Sequence, residues 1–204
     1  MPDLSINHFK DFKELSWSGG KTRELYLFPP SGNYAKREFD FRLSQSSVTL
    51  PTSVFSQLEG YHRLLMPLDR SLILINKTRQ SRKHLQVFET YYFWGGDNIV
   101  SQGQCFDLNL MYNNKYKGQL FAISQADNSI YQNSPIQMLY ALTDLSYEIN
   151  DGDRGYLEKD HLLVINQNSQ VDTVKIVLHS RKETSDMIAV WAGLSARRQC
   201  SLSD

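Results

Sequence analysis

The sequence predicts an all-β fold of many short antiparallel strands, a sandwich or a barrel, and three observations carry this expectation. Apolar runs of about four to eight residues, rich in β-branched and aromatic side chains, recur along the chain. Turn chemistry separates them at Gly95-Gly96-Asp97-Asn98, Asn113-Asn114, Asn150-Asp151-Gly152-Asp153 and Asn166-Gln167-Asn168. A weak internal repeat lays residues 64–71 on 139–146, 85–87 on 157–159, and 108–111 on 176–179. Two barrels fused in tandem would produce that order, with shorter loops in the second copy because the offset shrinks from 75 to 72 to 68 residues. Apolar strands of period two can also mimic such a repeat.

In chain order, the first strand is expected over residues 24–28, where Pro29-Pro30 stops it. Apolar or alternating runs predict further strands at 39–44, 63–68, 71–75, 91–94, 105–111 and 119–123. The series continues at 137–142, 146–149, 161–165, 174–178 and 188–191. Helix is expected only over 53–58 and over 184–196, the second overlapping the last apolar run.

Charge narrows the functional classes. The 204 residues carry 22 Lys and Arg against 22 Asp and Glu, a net charge of zero. That balance lacks the basic field on which non-specific binding to nucleic acid or to anionic membranes depends. The densest basic cluster, Lys77, Arg79, Arg82, Lys83 and His84, lies between apolar segments and reads as a solvated loop. The hydrophobic fraction of 41% suffices for a packed core. The first fifteen residues contain no continuous apolar region of the signal-peptide kind, and no apolar run reaches membrane-spanning length, so a cytoplasmic protein is expected. Cys105 in an apolar run and Cys200 in a polar tail make neither a disulfide framework nor a zinc site.

Familiar catalytic motifs are missing. Gly19-Gly20-Lys21-Thr22 looks like the end of a phosphate-binding loop, but Leu15 stands where the first glycine is needed and a strand, not a helix, follows. His8, His62, His84, His161 and His179 have no compact metal-site spacing, so no metal and no cofactor are expected. No nucleophile elbow is present.

The informative segments are strands with polar residues inside them. Alternation over 39–44 sets Phe39, Phe41 and Leu43 on one face and Asp40, Arg42 and Ser44 on the other. Alternation over 105–111 sets Phe106, Leu108 and Leu110 opposite Asp107, Asn109 and Met111. Two arrangements fit: amphipathic strands with wet outer faces, or polar faces turned into a lined cavity that recognises a carboxylate or amide.

The same stretches resemble a family. Trp17-Ser18-Gly19-Gly20-Lys21-Thr22-Arg23-Glu24-Leu25 resembles the Trp-Gly-Gly-x-Thr-x-Glu signature of the HutD/Ves family of cupin-like proteins. Phe39-Asp40-Phe41-Arg42-Leu43-Ser44, Phe55-Ser56, Gly60 with Arg63, Trp94-Gly95-Gly96-Asp97 and Asp107-Leu108-Asn109-Leu110-Met111 are similar to its later blocks, in the family's order. Glu59, Lys21 and Asn113-Asn114 depart from the usual family residues. The resemblance implies a compact bicupin of two fused RmlC-like cupin β-barrels. The N-terminal barrel, residues 1–118, would carry the motifs, and a smaller C-terminal barrel would span 119–204.

On that resemblance the chain is expected to be a metal-free binder of a small polar metabolite that bears a carboxylate, acting as a sensor or modulator in histidine utilisation or stress response. Arg42 and Arg63 would pair with the carboxylate, and Asp107 and Asn109 would orient an amide, imidazole or amine. Ser44, Thr22 and Glu24 would complete the polar rim, and Trp17 or Trp94 would cover the mouth. The expected partner is that metabolite, with no nucleic acid and no membrane, and a homodimer is an admissible assembly. The rival expectation is a cupin enzyme, a metal-independent isomerase or epimerase or a metal-dependent dioxygenase, with Asp107 and His62 as an acid–base pair. A third is a packed barrel that only presents a surface.

Overall fold

The computed structural model describes residues 2–167, 172–181 and 186–197. Its first ten strands are β1 (Asp3–Asn7), β2 (Lys13–Trp17), β3 (Gly20–Phe28), β4 (Phe41–Val48), β5 (Thr52–Val54), β6 (Tyr61–Pro67), β7 (Leu72–Asn76), β8 (Ser81–Leu85), β9 (Tyr91–Trp94) and β10 (Ile99–Gln102). They continue as β11 (Cys105–Asn113), β12 (Tyr116–Ser124), β13 (Ser129–Gln132), β14 (Ile136–Ala141), β15 (Leu145–Ile149), β16 (Asp153–Leu157), β17 (Leu162–Asn166), β18 (Val174–Ser180) and β19 (Met187–Ala196). Among the described residues the helical content is one 3-10 turn, Phe9–Asp11.

The strands form four sheets, each half of the fold being a two-sheet jelly roll rather than a closed barrel. The first half faces the order β2-β3-β4-β11-β6-β9 against β5-β10-β7-β8. The second faces β1-β17-β14-β19-β12 against β13-β18-β15-β16. Strand β1 thus extends the sheet of the C-terminal half, pairing Asp3 with Asn166 and Asn7 with Leu162, and position 118 falls inside β12 of that same sheet.

The two large sheets pack back to back. Phe41, Leu43, Leu64, Met66, Leu108, Leu110 and Tyr112 of the first half meet Leu120, Met138, Tyr140, Leu162, Val164, Val190, Ala192 and Leu194 of the second in one buried cluster. This decides between the two arrangements left open for the amphipathic strands. The apolar faces of β4 and β11 are buried between the halves, so their polar faces point into the first jelly roll.

Sheet order also locates the repeat. β4, β11, β6 and β9 correspond to β12, β19, β14 and β17, and β5, β10, β7 and β8 to β13, β18, β15 and β16. Leu85 and Leu157 end corresponding strands, β8 and β16. The other two matched segments are not equivalent. Leu64 faces the cluster between the halves while Leu139 faces the second half's own core, a slip that reverses the face. Residues 108–111 lie in β11, whose counterpart is β19, whereas 176–179 lie in β18.

Neither expected helix forms among the described residues. Residues 187–196 form β19, a central strand buried on both faces, Val190 and Ala192 toward the other half and Ala189 and Trp191 toward its own core. Burial on both faces gives a continuous apolar run that periodicity cannot distinguish from a buried helix. Thr184, Ser185 and Cys200 lie outside the described residues. Residues 53–58 begin as the short strand β5 and continue as a loop whose Leu58 is buried beside Phe39, Tyr61 and Met111. Turns follow β9, β11 and β15 where the sequence signals them, and after β15 Asn150 and Asp151 both take positive φ, +52° and +56°, with the Gly152 N–H donating to the Ile149 carbonyl at 3.1 Å; Asn168 lies outside the described residues.

Candidate functional site

Strands β4, β11 and β6 lie side by side, and their registers stack inward residues in rows. Arg42 and Arg63 flank Met111, Ser44 and Leu65 flank Asn109, and Ser46 and Pro67 flank Asp107. Successive rows are two residues apart, roughly 6.6 Å along the strands. The arginines therefore stand at one end of the inward face and Asp107 two rows away. Above this face lies a cavity of about 400 Å³. Its floor is Arg42, Ser44, Ser46, Arg63, Asp107, Asn109 and Met111, and its walls include Trp17, Thr22, Tyr34, Phe55 and Ser56.

Arg42 is only 2% exposed. Its Nε donates to Glu24 Oε2 at 2.8 Å, its Nη1 to Ser44 Oγ at 3.1 Å, and its guanidinium lies 4.2 Å from the centre of the Tyr34 ring. Its Nη2 is buried without a hydrogen-bond partner among the described residues. Arg63 donates from Nη1 to the Ser56 carbonyl at 3.1 Å, its Nε reaches toward Asn109 Oδ1 at 3.5 Å, and its guanidinium lies over the Phe55 and Phe93 rings. Burial pulls the Arg63 pKa down to about 10. No carboxylate among the described residues is within ion-pair distance of it.

Asp107 is 1% exposed, and its Oδ2 is buried with no hydrogen-bond partner among the described residues. Burial pushes its carboxyl up to about 7, against the downward pull of Arg63 and with a smaller upward push from Asp69. The same burial, aided by the charge of Asp107, raises the Cys105 thiol to about 12, which leaves it inert. Thr22 and Ser46 share a hydroxyl hydrogen bond of 2.9 Å on the cavity wall.

Trp17 ends β2 and lines the cavity, with its Nε1 buried and without a partner among the described residues. Gly19 makes this placement feasible, since a Cβ there would sit 2.0 Å from Trp17 Cζ3. The Gly19-Gly20-Lys21-Thr22 segment is thus part of a hairpin, Trp17 pairing with Gly20, that seats an indole against the cavity.

Arg42, Ser44, Thr22, Arg63, Asp107, Asn109 and Trp17 all line this cavity, and Glu24 reaches it through Arg42. Trp94 does not. It pairs with His62 across β9 and β6 and so shares the sheet face opposite Arg63, where its ring meets His62 edge-on at 5.0 Å and its Nε1 donates to Glu59 at 3.4 Å. The following turn is locked by Asp97, which accepts from Asn76 Nδ2 at 2.7 Å and Arg79 Nε at 2.8 Å. The same parity removes the Asp107–His62 pair: His62 lies behind the sheet, bonded to Tyr92 Oη and Asn114 Oδ1 at 2.8 Å each.

Among the lining residues not expected as site residues are Ser46, Tyr34, Phe55 and Ser56. Ser46 continues the alternation of Arg42 and Ser44 and could have been found by extending it two positions. Tyr34 comes from the loop between β3 and β4, and Phe55 and Ser56 from the loop after β5; neither loop has a period that would betray them.

No group of three or more His, Cys, Asp or Glu among the described residues is arranged to hold a metal ion. The inward polar groups are guanidiniums, hydroxyls, an amide, an indole N–H and one carboxyl, a set suited to hydrogen-bonding an anion. The corresponding inward faces of the second half carry Phe121, Ile123, Gln137, Leu139, Ala189 and Trp191, which pack in or against its own apolar core. No helix among the described residues is long and apolar enough to cross a membrane.

The HutD family model matches residues 9–184. A conserved protein of unknown function from Pseudomonas aeruginosa PAO1, PA5104, is similar in structure, with a TM-score of 0.79 at 18% identity over 96% of this chain and 100% of that one. HutD from Pseudomonas fluorescens SBW25 follows with a TM-score of 0.72 at 17% identity, over 96% and 100%. Hazelnut vicilin has a TM-score of 0.59 at 8% identity, over 94% and 85%. At these identities the likenesses carry the fold, an all-β cupin-like one. No curated protein matches the chain.

Proposed function

This chain belongs to the HutD family, a cupin-like family connected with histidine utilisation, and we propose that it holds a small carboxylate-bearing metabolite in the cavity of its first half as a sensor or modulator. One observation carries the proposal. Arg42 Nη2, Asp107 Oδ2 and Trp17 Nε1 are buried without partners among the described residues, and all three side chains line the same cavity. A buried polar atom left unsatisfied costs about 1–3 kcal/mol, so three around one space favour a molecule that satisfies them together. The cavity volume equals on the order of a dozen water molecules, the scale of a small metabolite. Arg42 and Arg63 take the carboxylate, Asp107 and Asn109 a second polar group, and Trp17 and Tyr34 cover the ligand.

A thermal-shift screen of small carboxylates tests this. A ligand at 100 times its Kd stabilises the protein by about 2.7 kcal/mol. Arg42→Ala and Asp107→Ala lose the shift if the cavity is the site, and the proposal falls if both keep it in full.

A further inference from the structure

The cavity admits a count of charge. Arg42 is already neutralised by Glu24 at 2.8 Å. Arg63 is buried, and its polar and ring contacts among the described residues are a carbonyl, an amide oxygen and two aromatic faces. Asp107 stands on the neighbouring strand, out of register with Arg63 by four residues, and makes no ion pair or hydrogen bond among the described residues.

A desolvated site is filled at least cost when its charges balance. One filling is a monoanion against Arg63 with Asp107 protonated. The other is a neutral or zwitterionic ligand with Asp107 ionised. The unpartnered atoms choose between them. Arg42 Nη2 and Trp17 Nε1 are donors that await an acceptor, and nothing among the described residues donates to an ionised Asp107. We infer that the cavity takes up a monocarboxylate together with one proton on Asp107, so that Asp107 fixes the charge of the ligand at minus one. This rests on the carboxylate-binding proposal above and adds the ligand's charge state to it.

Protonated, Asp107 donates its O–H to a neutral acceptor on the ligand, such as an amide or aldehyde oxygen. The charged or titratable groups around it are Arg63 from β6, Asp69 from the loop after β6, Arg42 from β4 and Cys105 on its own strand, with Ser46 opposite as a neutral neighbour. Burial dominates these and already holds the carboxyl near 7.

Calorimetry with three four-carbon probes separates the fillings: succinamate (one carboxylate, one amide), succinate (two carboxylates) and 4-aminobutanoate (a zwitterion). For wild type, succinamate affinity falls about tenfold per pH unit above 7, and titrations at pH 8 in two buffers of different ionisation enthalpy show uptake of one proton. Succinate binds at least about tenfold more weakly than succinamate at pH 8. The isosteric Asp107→Asn, its folding checked by thermal midpoint, binds succinamate with pH-independent affinity from 6 to 9. Binding of succinamate by wild type without proton uptake overturns the inference while leaving carboxylate binding intact, and so does preferential binding of 4-aminobutanoate that Asp107→Asn abolishes. Failure of all three probes to bind at pH 6 overturns carboxylate binding and the inference together.

Discussion

Arg63 and Asp107 enter one cavity from neighbouring strands, yet their four-residue offset keeps them from closing an ion pair. The carboxyl is therefore buried without a counter-ion close enough to hold it ionised, and its value of about 7 stands well above that of an unfolded aspartate, near 4. The folded chain binds more protons than the unfolded chain between these values. Stability is thus full below about pH 4, falls as pH rises, and is lowest above about 7. Asp107→Asn removes the titration. Its melting temperature equals that of wild type at pH 4 and exceeds it by several degrees at pH 8, at about 2–4 °C per kcal/mol. Equal midpoints at both pH values would show that Asp107 is ionised without cost.

Glu24 has a comparable effect on ligand charge through Arg42. The Glu24→Gln variant keeps an acceptor for Arg42 Nε but removes the counter-charge, which gives the cavity a second unneutralised guanidinium. Glu24 is 16% exposed on its side chain, so the stability lost is expected below the 3–5 kcal/mol of a fully buried pair, at about 1–2 kcal/mol. Selectivity moves the other way: succinate gains relative to succinamate. Calorimetry on the pair of ligands reads this directly, and an unchanged ratio would mean that Arg42 does not meet the anion.

Trp17 should report occupancy. Its side chain lines the cavity, whereas Trp94 lies behind the sheet and Trp191 is sealed in the second half. A ligand-induced fluorescence change should persist in Trp94→Phe and vanish in Trp17→Phe. Gly19→Ala should displace the indole, because the new methyl would meet Trp17 Cζ3 at 2.0 Å and Ser53 Oγ at 2.7 Å. Ligand affinity then drops about tenfold or more. An unaltered emission spectrum in Gly19→Ala would place the indole elsewhere.

The alternation of Arg42 with Leu43 and of Asp107 with Leu108 was legible in the sequence, and so was the set of groups it brings together. What alternation cannot say is which face is inside. Here both faces are buried, the apolar one by the other half of the molecule, and only the partner sheet decides that. Trp94 was misplaced for a related reason: its face follows from pairing with His62, a parity invisible without the register. Phe39 and Asp40 look continuous with β4 but precede it. Phe39 stacks on Tyr61 at 4.4 Å between centroids, and Asp40 turns outward to Asn113 and Lys115. Tyr34 reaches the cavity from a loop and leaves no periodic trace. The strand 187–196 was masked by its own burial, since a residue run apolar on both faces has no period to read.

The second half supplies a control for the first. Where β4, β11 and β6 carry Ser44, Asn109 and Arg63 inward, β12, β19 and β14 carry Phe121, Trp191 and Gln137. Trp191 is fully buried, stacks on Phe121 at 4.8 Å and donates from Nε1 to Gln137 Oε1 at 3.0 Å. Trp191→Ala should cost about 3–5 kcal/mol, from the cavity it leaves and from the unpaired Gln137 oxygen. Because the large sheets share one core, through Leu108 and Leu110 on one side and Val190 and Ala192 on the other, that loss should lower a single transition for the whole chain rather than melt one half first. Denaturant unfolding followed at once by circular dichroism and by Trp17 fluorescence checks this, and two separated midpoints would mean that the halves fold independently. At temperatures where the variant is folded, its affinity for succinamate should match that of wild type, because the residues that meet the ligand all belong to the other jelly roll.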